Sequence, residues 1–126
     1  MRRGRAGSLA AVAVVAGGLA VSGAGVAASG TTAHLKADPN GALKFNKKKL
    51  TVTHGKVTVV MKNPSSSMQQ HGIEVEGHGV EKRGKIVNPG SRSKVTFKHL
   101  KAGTYEFYCP VPGHKQAGMK GKLVVK

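Results

Sequence analysis

Apolar and polar residues alternate with a period of two through most of the chain after residue 40. Because successive side chains of a β-strand point to opposite faces, this alternation predicts half-buried strands. Turn-forming residues separate the alternating runs, as at Asn63-Pro64 and Pro89-Gly90. Such a series of short strands favours an all-β antiparallel sandwich or barrel. The predicted strands cover residues 43–45, 50–53, 56–62, 71–77, 94–100, 104–109 and 119–126.

The first 28 residues have the layout of a secretory signal peptide. Three arginines precede an apolar run from Leu9 to Val21, and small residues follow it. We expect cleavage near Ala28 and export to the periplasm or the outer side of the cell envelope. An uncleaved membrane anchor is the alternative, although the apolar run is short for a transmembrane helix and glycines interrupt it.

The 98 residues that follow are enough for one small domain. We expect residues 29–40 to form a flexible N-terminal segment and residues 41–126 to form the domain. These 98 residues contain 18 lysines and arginines but five acidic residues, a net charge of +13 with histidine neutral. This charge attracts acidic proteins or anionic lipid headgroups. Nucleic acid is not an expected partner, because the lysines are scattered along predicted strands and the expected export removes the chain from most nucleic acid.

Cys109 is the only cysteine of the chain. A lone cysteine in an exported protein indicates intermolecular pairing, a reactive thiol or a metal ligand. His114 follows Cys109 by five residues, and Met119 follows His114 by five. The phase of the predicted strands turns both Cys109 and Met119 toward the core. A buried structural cysteine beside a surface histidine is the plainer alternative.

A second histidine also points inward by the same argument. His71 is in phase with Ile73 and Val75 at the start of a predicted strand. The alternation turns Glu74 and Tyr108 outward. We therefore expect His71 to reach the core side of the sandwich, where it can join the cysteine.

One thiolate, two imidazoles and a weak axial thioether are the ligand set of a blue-copper electron-transfer centre. Cu(I) favours soft sulfur ligands, whereas Cu(II) prefers nitrogen and oxygen donors. A site between these preferences changes shape little when an electron enters or leaves. A nucleophilic Cys109–His114 pair would need an orienting acid, and none is evident. The sequence therefore predicts a copper protein that is not an enzyme.

The loop after Cys109 is stiff. Pro110 and Pro112 fix two φ angles, while Gly113 and Gly118 allow the backbone to turn tightly. Because proline has no N–H group, the N–H of Val111 is the predicted hydrogen-bond donor to the cysteine sulfur. Such a bond would draw charge from the sulfur and raise the redox potential.

Three segments resemble the cupredoxins, and within them the small plastocyanin-like blue-copper proteins. They are "GTYEFYCPVPGHKQAGMKGKLVV" at 103–125, "ALKFNKKKLTVTHGKVTVVMKN" at 42–63 and "NPSSSMQQHGIEV" at 63–75. The resemblance implies a Greek-key β-sandwich of seven or eight strands and a one-electron shuttle between larger redox proteins. It implies one type 1 copper ion near one end, with the ligands His71, Cys109, His114 and Met119.

The same resemblance implies a docking surface where the edge of His114 reaches solvent. We expect a monomer whose partners are acidic redox proteins of the cytochrome, oxidase or reductase type. Peripheral contact with an anionic membrane is a further expectation from the basic surface. Association with an acidic partner should slow as salt rises. The expected docking residues are Pro110, Val111, Pro112, Ala117, Tyr108, Lys115, Lys120 and Lys122.

Two features depart from the plastocyanin pattern. Many plastocyanin-like proteins have Asn after the first histidine ligand, where it joins the two copper-bearing segments, but this chain has Gly72. The interval between the cysteine and the second histidine is also longer than in plastocyanin.

A copper-delivery protein of the same fold, which holds Cu(I) without redox cycling, is the alternative function.

Overall fold

The computed structural model describes residues 30–126, which form eight strands and a short 3-10 turn at Ser65–Ser67. The predicted signal peptide, residues 1–28, lies outside the described residues. Within the described part of the chain, no helix is long and apolar enough to cross a membrane. The strands are β1 (Thr31–Lys36), β2 (Lys49–Val52), β3 (Gly55–Lys62), β4 (Glu74–Gly77), β5 (Val80–Arg83), β6 (Arg92–Leu100), β7 (Gly103–Tyr108) and β8 (Lys120–Val125).

The strands form a Greek-key sandwich of two sheets, as predicted. One sheet has the order β1-β3-β6 and the other the order β2-β8-β7-β4-β5. The expectation of purely antiparallel strands is wrong at two places, because β1 pairs with β3 in parallel and β2 pairs with β8 in parallel. Only two residues separate β2 from β3, yet these strands belong to different sheets. Each therefore pairs with segments that are distant in sequence.

Residues 31–36 form strand β1, so the expectation of a flexible segment is wrong there. β1 pairs with β3 from Thr31 opposite Val57 to Lys36 opposite Lys62. The alternation is present in β1 but short. Its pairing partner is remote in sequence, so the local pattern did not reveal the strand.

The hydrophobic core lies between the two sheets. β3 contributes Val57, Val59 and Met61, all fully buried. From the other sheet comes Phe107, whose ring centroid lies 5.7 Å from that of Phe45. Apolar burial of this kind is the main stabilising term in a small sandwich. It holds in place the strand ends from which the predicted ligands extend.

Glu74 and Tyr108 lie opposite each other on the outer side of the five-stranded sheet, yet they are covered. Their exposed fractions are 1% and 9%. β5 places Arg83 opposite Glu74, with 2.9 Å between Nε and Oε1. Burial raises the pKa of Glu74, but hydrogen bonds with Glu81, Arg83 and Tyr108 outweigh it, and the pKa lies below its ordinary value. The alternation predicted the side of the sheet that Glu74 and Tyr108 face, but not that neighbouring side chains bury them there.

Candidate metal centre

Backbone hydrogen bonds hold the predicted ligands at one end of the sandwich. His71 lies just before β4 and forms an isolated bridge with Val87. The His71 N–H donates to the Val87 carbonyl with 3.1 Å between nitrogen and oxygen, and the Val87 N–H donates to the His71 carbonyl at 2.8 Å. Cys109 directly follows β7, and its N–H donates to the carbonyl of Met119 at 3.0 Å. The N–H of Met119 donates to the carbonyl of His114, also at 3.0 Å. All four residues therefore meet where strands of the five-stranded sheet join loops.

Three donor atoms form a nearly equilateral triangle. The Nδ1 atoms of His71 and His114 are 3.2 Å apart. The Cys109 Sγ atom lies 3.8 Å from Nδ1 of His71 and 3.5 Å from Nδ1 of His114. Both imidazoles thus direct the same nitrogen toward one sulfur.

This triangle fits a single metal ion. Three donors at ~2.0–2.3 Å from one ion in a trigonal plane lie ~3.5–3.8 Å from one another. The observed distances of 3.2, 3.5 and 3.8 Å are close to this range. A donor set of one thiol, two imidazoles and a nearby thioether suits copper.

Burial sets the protonation of the donors. Burial and the proximity of His114 lower the pKa of His71 to about 4. Burial also lowers the pKa of His114. Both imidazoles are therefore neutral at pH 7, and each has a nitrogen lone pair free for a metal. Burial raises the pKa of the Cys109 thiol, which favours the protonated form. A cation bound in the triangle would favour the thiolate instead.

Met119 is fully buried and directly precedes β8. Its backbone bonds to both Cys109 and His114 place its side chain at the same end of the sandwich. The structure therefore brings together all four predicted site residues, three of them through direct contacts between donor atoms.

Gly72 supplies a contact that the sequence analysis did not anticipate. Its N–H donates to the Cys109 Sγ at 3.4 Å. Hydrogen bonds from the N–H groups of Gly72 and Val111 lower the pKa of the thiol and oppose the effect of burial. The bond from Val111 was predicted from the sequence. A Cβ placed on Gly72 would lie 3.0 Å from the Lys85 carbonyl oxygen and 3.2 Å from Pro110 Cγ. An asparagine is therefore poorly accommodated at position 72. The bond from the Gly72 N–H to the Cys109 sulfur joins the segment of His71 to the segment of Cys109 instead.

Asn63 is a second residue whose role was missed. It is fully buried, and its Nδ2 donates to the carbonyls of Gln69 at 2.8 Å and Val87 at 3.1 Å. Gln69 lies in the segment that carries His71, and Val87 lies in the segment that pairs with His71. The Asn63-Pro64 sequence indicated a turn, and that signal did not reveal the buried amide.

The predicted docking residues differ in accessibility. Pro112 and Ala117 are exposed, as are Lys120 and Lys122, while Pro110 and Val111 are half-buried. His114, at the centre of this group, is also half-buried.

Lys115 is held by acidic neighbours. Its Nζ lies 3.0 Å from Glu106, 3.6 Å from Glu76 and 4.0 Å from the ring centre of Tyr108. Its charge is therefore partly neutralised within the chain, and it covers Tyr108.

Comparison with known proteins identifies relatives along most of the chain. A family model for the cupredoxin-like domain matches residues 10–125. Auracyanin-A of Chloroflexus aurantiacus is 33% identical over 110 residues, which is 66% of this chain and 67% of that protein. The copper-resistant cuproprotein CopI of Rubrivivax gelatinosus is 45% identical over 40 residues, 32% of this chain. The chain covers 24% of the length of that cuproprotein.

Solved structures agree with these matches. An auracyanin from the photosynthetic bacterium Roseiflexus castenholzii has a TM-score of 0.63 at 28% identity, covering 79% of this chain and 98% of that chain. The blue copper protein auracyanin A of Chloroflexus aurantiacus has the same score and identity, covering 77% and 100%. The matched family region includes every residue of the triangle. The chain therefore belongs to the cupredoxin family, and its donor cluster is that of a protein with one type 1 copper ion.

Proposed function

We propose that the protein is an exported one-electron carrier whose copper ion is held by His71, Cys109, His114 and Met119. The observation that carries the proposal is the triangle of Nδ1, Nδ1 and Sγ atoms, with sides of 3.2 to 3.8 Å. When bound, copper supplies a one-electron couple between Cu(II) and Cu(I). The chain has no catalysis of its own in this proposal.

The residues around the donors keep the centre rigid. Within the loop, the N–H of His114 donates to the Val111 carbonyl at 3.0 Å, and the N–H of Ala117 donates to Gly113 at 3.2 Å. Two imidazoles and a thiolate held in one plane suit neither the tetragonal preference of Cu(II) nor the linear preference of Cu(I) fully. Little rearrangement is then needed on electron transfer.

Electrons enter or leave through His114 in this proposal. His114 is half-buried, and Pro112 and Ala117 of the same loop are exposed and offer an apolar contact for a partner. Lys120 and Lys122 are exposed nearby and favour an acidic redox protein of the cytochrome, oxidase or reductase type. We propose that a monomer acts on the periplasmic or outer side of the membrane.

Copper delivery is the second candidate function. The local match to a copper-resistant cuproprotein supports it. A delivery protein would hold Cu(I) and pass it to an acceptor without cycling. Reversible voltammetry separates the two functions, because only a carrier exchanges electrons with an electrode at a stable potential in both directions.

Addition of Cu(II) to the purified protein tests the proposal. We expect one equivalent to produce an intense visible thiolate-to-copper band. Cys109→Ser should abolish the band, and His99→Gln, at an exposed histidine, should leave it unchanged. A colourless product from the original protein would contradict the carrier function, and a band that survives Cys109→Ser would contradict the assigned ligand.

A further inference from the structure

The outer face of the three-stranded sheet carries charge of only one sign. The strand pairings align its outward positions in rows across β1, β3 and β6. These positions include threonines, His34 and Val60, but no aspartate or glutamate. We call the face formed by the charged members the basic face. Its residues are Lys36, Lys56, Lys62, Arg92, Lys94 and Lys98.

Lysines also cover both edges of this sheet. At the β1 edge, the Lys47 Nζ donates to the His34 carbonyl at 3.0 Å. At the β6 edge, the Lys82 Nζ donates to the Thr96 carbonyl at 2.6 Å. Charged side chains on sheet edges prevent pairing with another chain. The edges therefore extend the positive charge and do not offer a strand-pairing site.

Four of the five acidic residues lie on the other sheet. Glu74, Glu76, Glu81 and Glu106 belong to its strands β4, β5 and β7. The fifth, Asp38, lies just after β1, and its Oδ2 accepts hydrogen bonds from the N–H groups of Asn40 and Ala42. Within the described part of the chain, the ion pairs are formed by Arg83 and Lys115, and neither is on the basic face. No residue of the basic face therefore forms an ion pair within residues 30–126.

We propose that the basic face docks the protein on an anionic lipid surface. Clusters of lysine near a membrane are attracted by anionic headgroups without needing a shaped pocket. Protein interfaces instead are enriched in aromatic residues and depleted in lysine, and the outward positions of this sheet include no aromatic residue. The chemistry therefore favours headgroups over an acidic protein as the occupant.

The position of the basic face agrees with a role at a membrane. The loop that carries Cys109 and His114 connects β7 and β8 of the other sheet. A protein docked through β1, β3 and β6 leaves that loop free for a redox partner. The proposal does not depend on copper.

Flotation with lipid vesicles tests the proposal. The exported protein, after the expected cleavage near Ala28, is compared on vesicles of phosphatidylcholine alone and of phosphatidylcholine with phosphatidylglycerol, at low and high salt. A basic-face variant combines Lys36→Gln, Lys56→Gln, Lys94→Gln and Lys98→Gln. A control variant combines Lys49→Gln, Lys120→Gln and Lys122→Gln on the opposite sheet with Lys48→Gln next to it, so both variants lose the same charge. Thermal unfolding verifies that both are folded.

We expect salt-sensitive binding that requires phosphatidylglycerol and is at least about tenfold weaker in the basic-face variant than in the control variant. Equal weakening in both variants would attribute binding to net charge and overturn the proposal. Binding that does not depend on phosphatidylglycerol would overturn it too. Retention on immobilised polyglutamate without vesicle binding would assign the basic face to an acidic polypeptide instead.

Discussion

The Sγ atom of Cys109 lies 3.8 Å from Nδ1 of His71, although 38 positions separate these residues in the sequence. Paired backbone bonds to Val87 brace the histidine, and a bond to Met119 braces the cysteine. The donor separation is therefore set by the surrounding strands and loops. We expect residues that brace these backbones to affect the centre as strongly as some of the donors do.

Asn63→Ala should destabilise the protein and loosen the segment that carries His71. The change leaves two carbonyls, of Gln69 and Val87, without their amide donor. We expect a loss of about 2–4 kcal/mol in the free energy of unfolding and weaker copper binding. Urea unfolding and competition with a Cu(I) chelator measure the two effects. Asn40→Ala, at an exposed asparagine in the turn after β1, is the control and should change neither. Equal stability of the two variants would contradict the bracing role.

Gly72→Ala should strain the contact between the two copper-bearing segments. The added Cβ would lie 3.0 Å from the Lys85 carbonyl oxygen and 3.2 Å from Pro110 Cγ. We expect a loss of about 1–3 kcal/mol in the free energy of unfolding and a shift of the visible copper band. Adding Pro110→Ala removes one of the opposing groups, so the double variant should recover part of the loss. A fully additive double variant would rule out this contact as the cause.

Met119→Leu should change the redox potential more than the stability. Leucine fills a similar volume, so the free energy of unfolding of the metal-free protein should fall by less than about 1.5 kcal/mol. Loss of an axial sulfur donor disfavours Cu(II), so we expect a higher reduction potential by voltammetry. Met61→Leu, at another fully buried methionine, is the matched control. If both variants shifted the potential equally, the thioether of Met119 would have no special role.

The metal-free protein should lose stability as the pH falls from 6.5 toward 4. Burial and His114 lower the pKa of folded His71 to about 4, whereas an unfolded histidine titrates at ~6.5. Between these two pKa values the unfolded chain binds a proton at His71 that the folded protein does not bind. The contribution of neutral His71 to stability is therefore fully present above the unfolded pKa and decreases as the pH falls below it. The expected loss is on the order of 2–3 kcal/mol.

Urea unfolding across this pH range measures the effect. His71→Gln should reduce the dependence, and a smaller part should remain because burial also lowers the pKa of His114. His34→Gln, at an exposed histidine, should leave the dependence unchanged. A His71→Gln variant with the original slope would show that other groups cause the loss.

Much of the fold and the centre could be predicted from local patterns. Alternation along the strands identified most of them and turned His71, Cys109 and Met119 inward, because strand side chains alternate between faces. The spacing of Cys109, His114 and Met119 identified the copper chemistry, because all three lie in one loop and its flanking strand positions. These predictions needed no knowledge of strand pairing.

Tertiary structure alone decided the rest. The parallel pairing of β1 with β3, the cover over Glu74 and the Gly72 bond to sulfur all depend on contacts between segments distant in sequence. The charge of the basic face also depends on which strands share a sheet. Local periodicity reports which side of a strand is buried, but the partner on that side is chosen by the packing of the whole chain.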